Sequence, residues 1–259
     1  MQHERRNDIL TKIKIRRAVK VCDLMEEYKV SIETIRRDLE YLEKKGLLRR
    51  VYGGAVLHGF YGEETDYDRR VVTNYPQKQA IGKKTAELIN HGDTLFINRG
   101  TTTMEVVKEL GLKKNLTVIT NSILIAQELI KINDTCRIIL LGGELRREEQ
   151  TLYGTITDSN LEQFYATKTI LGIGGISPET GITDYYLQET NTIRIMIQRS
   201  AEVIVAADYS KFGVVAMNFI CPLEKVHALV TDRTIPAKVI AEYRSRGLKV
   251  YATAAPEDD

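Results

Sequence analysis

VCDLMEEYKVSIETIRRDLEYLEKKGLLRRVYGGA, residues 21–55, is the stretch on which the reading of this chain turns. Leu24, Met25 and Tyr28 space a short helix starting near Asp23, a residue suited to an N-cap. Lys29 and Val30 make a turn. Ser31 stands where a side-chain oxygen accepts from the first free N–H groups of the next helix, and Glu33 suits that helix's positive end. With helical spacing, Ile32, Ile35, Leu39 and Leu42 share one face, which belongs to a core. Thr34, Arg37 and Tyr41 fall on the opposite face, and Arg36 on the flank. A short helix, a tight turn and a second helix with an arginine-bearing outer face make a helix-turn-helix, whose second helix enters the major groove. Arginine pairs with guanine O6 and N7, and a threonine methyl can touch that of thymine. Ser31, Thr34 and Arg37 are therefore expected at base edges or in the groove, with Tyr41 on the same surface. Arg36 is expected on phosphate. The competing reading pairs Arg36 and Arg37 with Glu33, Asp38 or Glu40 along a solvated helix. Gly46 fits a helix stop. Residues 47–55 then read as strand, Gly-Gly turn and return strand, a wing that lays Arg49 and Arg50 along the backbone. Upstream, Ile9, Leu10 and Ile13 mark a first helix, and Val19 and Val21 a short strand or lead-in.

The charge distribution agrees. Residues 1–58 hold 14 Lys and Arg against 9 Asp and Glu, a net of +5, while the remainder carries −3 of the total +2. A basic head on a mildly acidic body suits a head that meets a polyanion. Cys22, Cys136 and Cys221 lie far apart with no CxxC, and His3, His58, His91 and His227 lack metal-ligand spacing. Neither a disulfide framework nor a metal site is expected. No run approaches the eighteen or so apolar residues of a membrane span, and the N-terminus lacks an apolar leader, so a cytoplasmic location is expected. No cofactor is indicated.

Phe60–Tyr75 is polar and tyrosine-rich and reads as a linker, giving expected boundaries of 1–58, 59–75 and 76–259. A helix is predicted over Lys78–Asn90. Apolar, β-branched runs follow at Thr94–Ile97, Leu116–Thr120, Arg137–Leu141, Thr169–Ile173, Val203–Ala207, His227–Val230 and Lys249–Tyr251. Helical patterns intervene at Thr103–Leu110, Ser122–Ile130, Leu187–Arg199 and Ala237–Arg246. Such alternation implies a doubly wound, mostly parallel α/β sheet. Ligands of these sheets bind beyond the carboxyl ends of the strands. The segments there are Asn98–Thr103, Asn121–Ser122, Gly142–Gly143, Gly174–Gly175 and Asp208–Gly213. Glycines admit an anion to the backbone, threonines at a helix start donate, and Lys211 adds charge. Each loop alone is also ordinary turn and capping chemistry.

VSIETIRRDLEYLEKKGLLRRVYGGAV resembles the winged helix-turn-helix of the DeoR family of bacterial transcriptional regulators, without a gap from Val30 through Arg50 to Ala55. FINRGTTTMEVVKEL, VITNSILIAQEL, IILLGGELRREEQTLYG and AADYSKFG are similar to the sensor domain of that family. The resemblance implies a body related in fold to ribose-5-phosphate isomerase, glucosamine-6-phosphate deaminase and CoA transferases. It also implies operator DNA as partner, a phosphorylated sugar intermediate as effector, and repression relieved or modulated by it. Carried across motif by motif, the implied effector contacts are Gly100, Thr101, Thr102, Thr103, Asn121, Gly142, Gly143 and Lys211. Two departures each remove a carboxylate. Asn98 stands where the family usually has Asp before the GTTT loop, and Thr167 where it usually has Asp in ADK. Altered hydroxyl recognition is the expectation.

A single head rarely suffices on DNA, so a homodimer or tetramer is expected. Two rival readings remain. One is a sugar-phosphate isomerase or deaminase using Asp184, Glu144 or Asp208 as base. The other is a DNA-binding protein whose body serves assembly only.

Overall fold

Two periodicities in one chain produce two units, Met1–Glu64 and Thr65–Asp259. The structure, a computed structural model, describes all residues except Met1, Arg17, Tyr52, Gly53, 58–65 and 254–259.

The first unit contains α1 (Gln2–Arg16), β1 (Ala18–Lys20), α2 (Val21–Tyr28), α3 (Ile32–Lys44), β2 (Leu48–Val51) and β3 (Gly54–Leu57). Ile9 and Ile13 of α1, Leu24 of α2 and Ile35, Leu39 and Leu42 of α3 form its core, joined by Leu48 and Ala55 of the strands. The three α3 residues are the stripe expected from spacing. Asp23 lies within the first turn of α2 and not at its cap, because the helix begins at Val21. Ser31 caps α3, its Oγ accepting from the Thr34 N–H at 3.4 Å. Gly46 ends it at φ 70°, the left-handed conformation that favours glycine. β2 and β3 pair antiparallel from Leu48↔Leu57 to Val51↔Gly54, and β1 adds to β3. The Gly-Gly turn expected here falls partly outside the described residues.

The second unit runs α4 (Tyr67–Val72), α5 (Tyr75–Glu87), β4 (Thr94–Ile97), α6 (Thr101–Lys108), β5 (Thr117–Thr120), α7 (Ile123–Ile132), β6 (Arg137–Leu140), β7 (Glu144–Arg146), β8 (Thr151–Tyr153), α8 (Thr155–Leu161), β9 (Ala166–Leu171), β10 (Gly175–Ser177), β11 (Gly181–Asp184), α9 (Leu187–Gln198), β12 (Ser200–Ala206), β13 (Asn218–Cys221), β14 (Ala228–Asp232), α10 (Ala237–Ser245) and β15 (Lys249–Thr253). The seven apolar runs are the seven strands of one sheet, ordered β15-β14-β12-β9-β4-β5-β6, with every neighbouring pair parallel. Alternate residues enter two cores. Leu95, Ile97, Val118, Ile170 and Ile204 pack with Ile81 of α5, Val106 of α6 and Leu129 of α7. Phe96, Ile119, Leu171, Val203 and Val205 pack with Met196 of α9 and Tyr243 of α10. From β4 the chain winds outward to β6, then crosses to β9 and winds the other way. The reversal lies between β4 and β9, so their carboxyl ends bound the crevice where such sheets take ligands.

Several elements differ from the sequence reading, including α8, which no predicted helical pattern covers. α4 is a helix inside the expected linker, and α5 starts at Tyr75 rather than Lys78. The segment YDRRVV has no apolar stripe to announce a helix; its buried residue is Arg70. The hairpin β7–β8 and the antiparallel sheet β10-β11-β13 have no signal in the sequence, because ELR, TLY, GIS, GITD and NFIC are not continuous apolar, β-branched runs.

Candidate functional site

On α3 three of the four acidic residues are engaged, Glu33 in the first turn being exposed. Asp38 is fully buried and accepts from Arg5 Nε at 2.6 Å and Arg6 Nε at 2.7 Å, both from α1. Glu40 pairs with Lys44 at 2.8 Å, and Glu43 with Arg50 Nε at 2.7 Å. Arg36 and Arg37 are exposed, with no ion pair among the described residues, so the pairing of these arginines along the helix is not what the structure contains. Ser31 and Thr34 share a hydroxyl contact at 3.1 Å beside them. Tyr41 is 38% exposed, with Arg6 Cζ 3.9 Å and Lys45 Nζ 4.8 Å from its ring centroid, so its surface is cationic rather than neutral. Arg50 departs from the expectation: Glu43 holds both its guanidinium and its N–H. Exposed pairs of this kind are worth about 0–1 kcal/mol and exchange readily for phosphate. Arg49 lies in β2 opposite Val56; its side chain is outside the described set.

In the second unit, Gly100 starts α6 at the carboxyl end of β4, and no side chain caps that helix. Its first N–H groups have no intrahelical acceptor. Thr101 and Thr102 are buried, and their hydroxyls have no hydrogen bond among the described residues. Thr103 differs: its hydroxyl turns back to the carbonyls of Asn98 and Gly100, each at 3.0 Å, and serves the loop. Asn98 is also structural. Its Nδ2 donates to the Gly172 carbonyl at 2.9 Å while its Oδ1 accepts from the Gly172 N–H at 2.8 Å, joining the ends of β4 and β9 across the crevice. A carboxylate could make only the second bond. Thr167 sits at the opposite, amino end of the sheet, bonded to Asp93 and the Thr94 main chain. Neither departure from the family pattern therefore frees or removes a group that faces the crevice.

Asn121, after β5, donates through Nδ2 to the Leu152 carbonyl at 2.9 Å and anchors β8; its Oδ1 is buried without a partner. Gly142 and Gly143 serve another purpose than an anion cradle. The Gly142 carbonyl accepts from Thr157 Oγ1 at 2.7 Å, and a Cβ on Gly143 would lie 2.0 Å from that oxygen, so α8 fills the space. Lys211 follows β12 in a short 3₁₀ turn, half-buried and without an ion pair among the described residues. β6 stands four places from β12, roughly 19 Å at the usual spacing between strands. One small metabolite does not touch both Gly142 and Lys211.

The dominant feature of this end of the sheet is one the sequence did not announce. Arg99 is buried and meets Glu189 of α9, Glu149 at 3.4 Å and Asp184 at 3.4 Å. Arg146 joins Glu189 at 3.2 Å, with its Cζ 3.2 Å from the Tyr186 ring centroid. Arg70 of α4 pairs with Glu149. These partners lie 50–90 residues apart in the chain for Arg99 and 79 for Arg70, so no local pattern marks them. Lys78 of α5 is likewise buried, donating to the Arg70 carbonyl, and burial lowers its ammonium to about 8. The carboxylates considered as catalytic bases are engaged separately. Asp184 accepts from the Tyr185 N–H at 2.8 Å as well as from Arg99, Asp208 from Asn74 Nδ2 at 3.1 Å and Ser210 N–H at 2.9 Å, and Glu144 is exposed on the hairpin. Among the described residues no group of His, Cys, Asp and Glu is placed to hold a metal ion, and no helix is long and apolar enough to cross a membrane.

Residues 5–59 match the family model of the DeoR-like helix-turn-helix domain, and residues 73–233 that of the DeoR C terminal sensor domain. The glycerol-3-phosphate regulon repressor of Escherichia coli is 36% identical over 239 residues, 92% of this chain and 94% of that protein. The HTH-type transcriptional regulator GolR of Listeria innocua is 32% identical over 95% of this chain and 97% of its own length. The HTH-type transcriptional repressor GlcR of Bacillus subtilis is 34% identical, covering 92% and 90%. Among solved structures, ribose 5 phosphate isomerase A from Neisseria gonorrhoeae aligns with 53% of this chain and 53% of its own, at 16% identity and a TM-score of 0.39. With a DeoR model over each unit and regulators aligned along nearly the full length, the chain belongs to the DeoR family of transcriptional regulators.

Proposed function

We propose that the chain is a cytoplasmic repressor of a carbohydrate-utilisation operon that binds its operator as a homo-oligomer and responds to a small phosphorylated sugar. Thr34 and Arg37, with Ser31 at the helix start, read base edges. Arg36, Arg49, Arg50 and the cationic surface at Tyr41 hold the phosphate backbone. The observation that carries the DNA reading is the exposure of unpaired Arg36 and Arg37 on a helix whose Asp38, Glu40 and Glu43 are all engaged elsewhere. The effector lies at the carboxyl ends of β4, β9 and β12, against Gly100, Thr101, Thr102 and Lys211, with the free Oδ1 of Asn121 one strand further. Thr103, Gly142 and Gly143 shape this site without touching the ligand. The similarity to the Escherichia coli glycerol-3-phosphate regulon repressor supports a phosphorylated effector. Gel shifts on the DNA upstream of the chain's own operon test the reading, with a specific dissociation constant on the order of 10⁻⁸–10⁻¹¹ M expected. Equal affinity for unrelated DNA would overturn it. A thermal-shift panel of sugar phosphates then identifies the effector, and silence across the panel leaves only an assembly role for the second unit.

A further inference from the structure

The arginine network sets three guanidinium groups against the buried Glu149, Asp184 and Glu189, with the exposed Glu148 3.7 Å from Arg146. Lys78 and Lys211, at the same end of the sheet, have no ion pair among the described residues. Lys78 leaves α5 with 4% of its surface exposed, and its one hydrogen bond among the described residues is to a main-chain carbonyl, that of Arg70. The charged groups that face it are Asp208 and Lys211 from the segment after β12, Arg70 from α4 and Glu105 from α6. Among the described residues neither carboxylate forms an ion pair with Lys78, although Asp208 keeps its charge uncompensated by another cation. Glu105 pairs with Lys108 at 2.6 Å, and Asp208 accepts from Asn74 and Ser210. An ammonium held in this way, buried beside a second lysine and without a carboxylate in contact, is stabilised by an incoming anion far more than an exposed lysine is.

We propose that Lys78, with Lys211, takes the anionic group of the effector, and that Lys78 transmits occupancy by releasing the Arg70 carbonyl. The proposal rests on the reading of this crevice as the effector site. Arg70 reaches that site through its carbonyl on Lys78 and its guanidinium on Glu149. α4 carries Arg70 and is the first described helix after the winged unit. When Lys78 turns to the anion, α4 loses its carbonyl contact with the site, and its end loosens. The segment that leads back to the DNA-reading head is the first to respond.

Calorimetry of the full-length protein with inorganic phosphate and with glycerol 3-phosphate, from pH 6.5 to 9.5, tests the binding half. Once corrected for the probe's own second ionisation, at roughly pH 6 to 7 for a phosphate group, wild-type affinity for at least one probe is expected to be level below about pH 8, the value to which burial lowers Lys78, and to fall up to about tenfold per pH unit above it. Lys78→Met fills the volume without a buried charge, so it keeps the fold, and its affinity falls about tenfold or more at pH 7. Lys78→Arg keeps the charge and flattens the profile. Hydrogen exchange over residues 67–73 tests the transmitting half. Exchange is expected to accelerate on binding in wild type and to be fast already in Lys78→Met. Wild-type affinity in Lys78→Met, or a wild-type profile without a break near pH 8, overturns the assignment. Slower or unchanged exchange of α4 on binding overturns the transmission. If wild type binds neither these probes nor any other sugar phosphate, the effector reading itself fails, an outcome distinct from both.

Discussion

Asp38 belongs to the run TIRRDL yet faces inward, where Arg5 and Arg6 clamp it from another helix. Its arginine partners are 15% and 18% exposed, so the loss on Asp38→Ala is below that of a fully sealed pair, on the order of 2–3 kcal/mol. Urea unfolding followed on the winged unit should show this, and a loss within a few tenths would mean the clamp is idle. Its neighbours act outward. Arg37→Ala is expected to cost about 1–3 kcal/mol on the operator and to relax preference at one base position, whereas Arg36→Ala weakens operator and random DNA alike. Competition gel shifts over single-base operator variants separate the two. Lys78 adds a pH signature at the same scale. Its folded ammonium titrates near 8 against an ordinary 10.5. The unfolded chain therefore binds more protons between those values, and stability rises with pH across that window. In Lys78→Met that rise should vanish, which denaturation midpoints at pH 7.5 and 10 would show.

At the scale of elements, β-strand ends and helix starts are held by main-chain contacts that tolerate no extra atom. α8 meets β6 through Gly143, where a Cβ would lie 2.7 Å from the Tyr153 carbonyl as well as against Thr157. Gly92 also has a positive φ, 79°, but opens onto empty space. Gly143→Ala should therefore cost several kcal/mol, well beyond the roughly 1 kcal/mol expected of Gly92→Ala. Paired melting curves check this, and similar losses would show that α8 can move aside. α3 and α4 illustrate two ways of fixing a helix. α3 has an apolar stripe, a serine cap and a glycine stop, all local. α4 has none of these and is tied down by Arg70, with Glu149 and Lys78 as its partners.

At the scale of the whole molecule, two units with separate cores imply two melting transitions. A phosphorylated sugar bound to the second unit alone stabilises that unit by mass action, about 2.7 kcal/mol at a hundred times its dissociation constant. Calorimetry should show the larger transition moving up while the smaller stays. Movement of both together would mean that the units melt as one.

The seven strands and their helices were legible because each rests on a local cause. A β-branched run such as Thr94–Ile97 alternates between two faces, and a run such as Ile35, Leu39 and Leu42 returns to one face every turn. The helix-turn-helix was legible for the same reason, with Ser31 and Gly46 as its punctuation. Candidate ligand residues were legible only as positions after strands. Which of them face the ligand depended on packing: Thr103 and Asn98 bond the loop and the neighbouring strand, Gly142 and Gly143 make way for α8, and Thr167 stands at the far end of the sheet. Sequence by itself determined the order and kind of the elements, since hydrophobic period, caps and turn residues act over a few positions. Tertiary structure alone decided the charge network of Arg70, Arg99 and Arg146 and the burial of Lys78, since an ion pair forms wherever the fold brings opposite charges together, however far apart they lie in the chain.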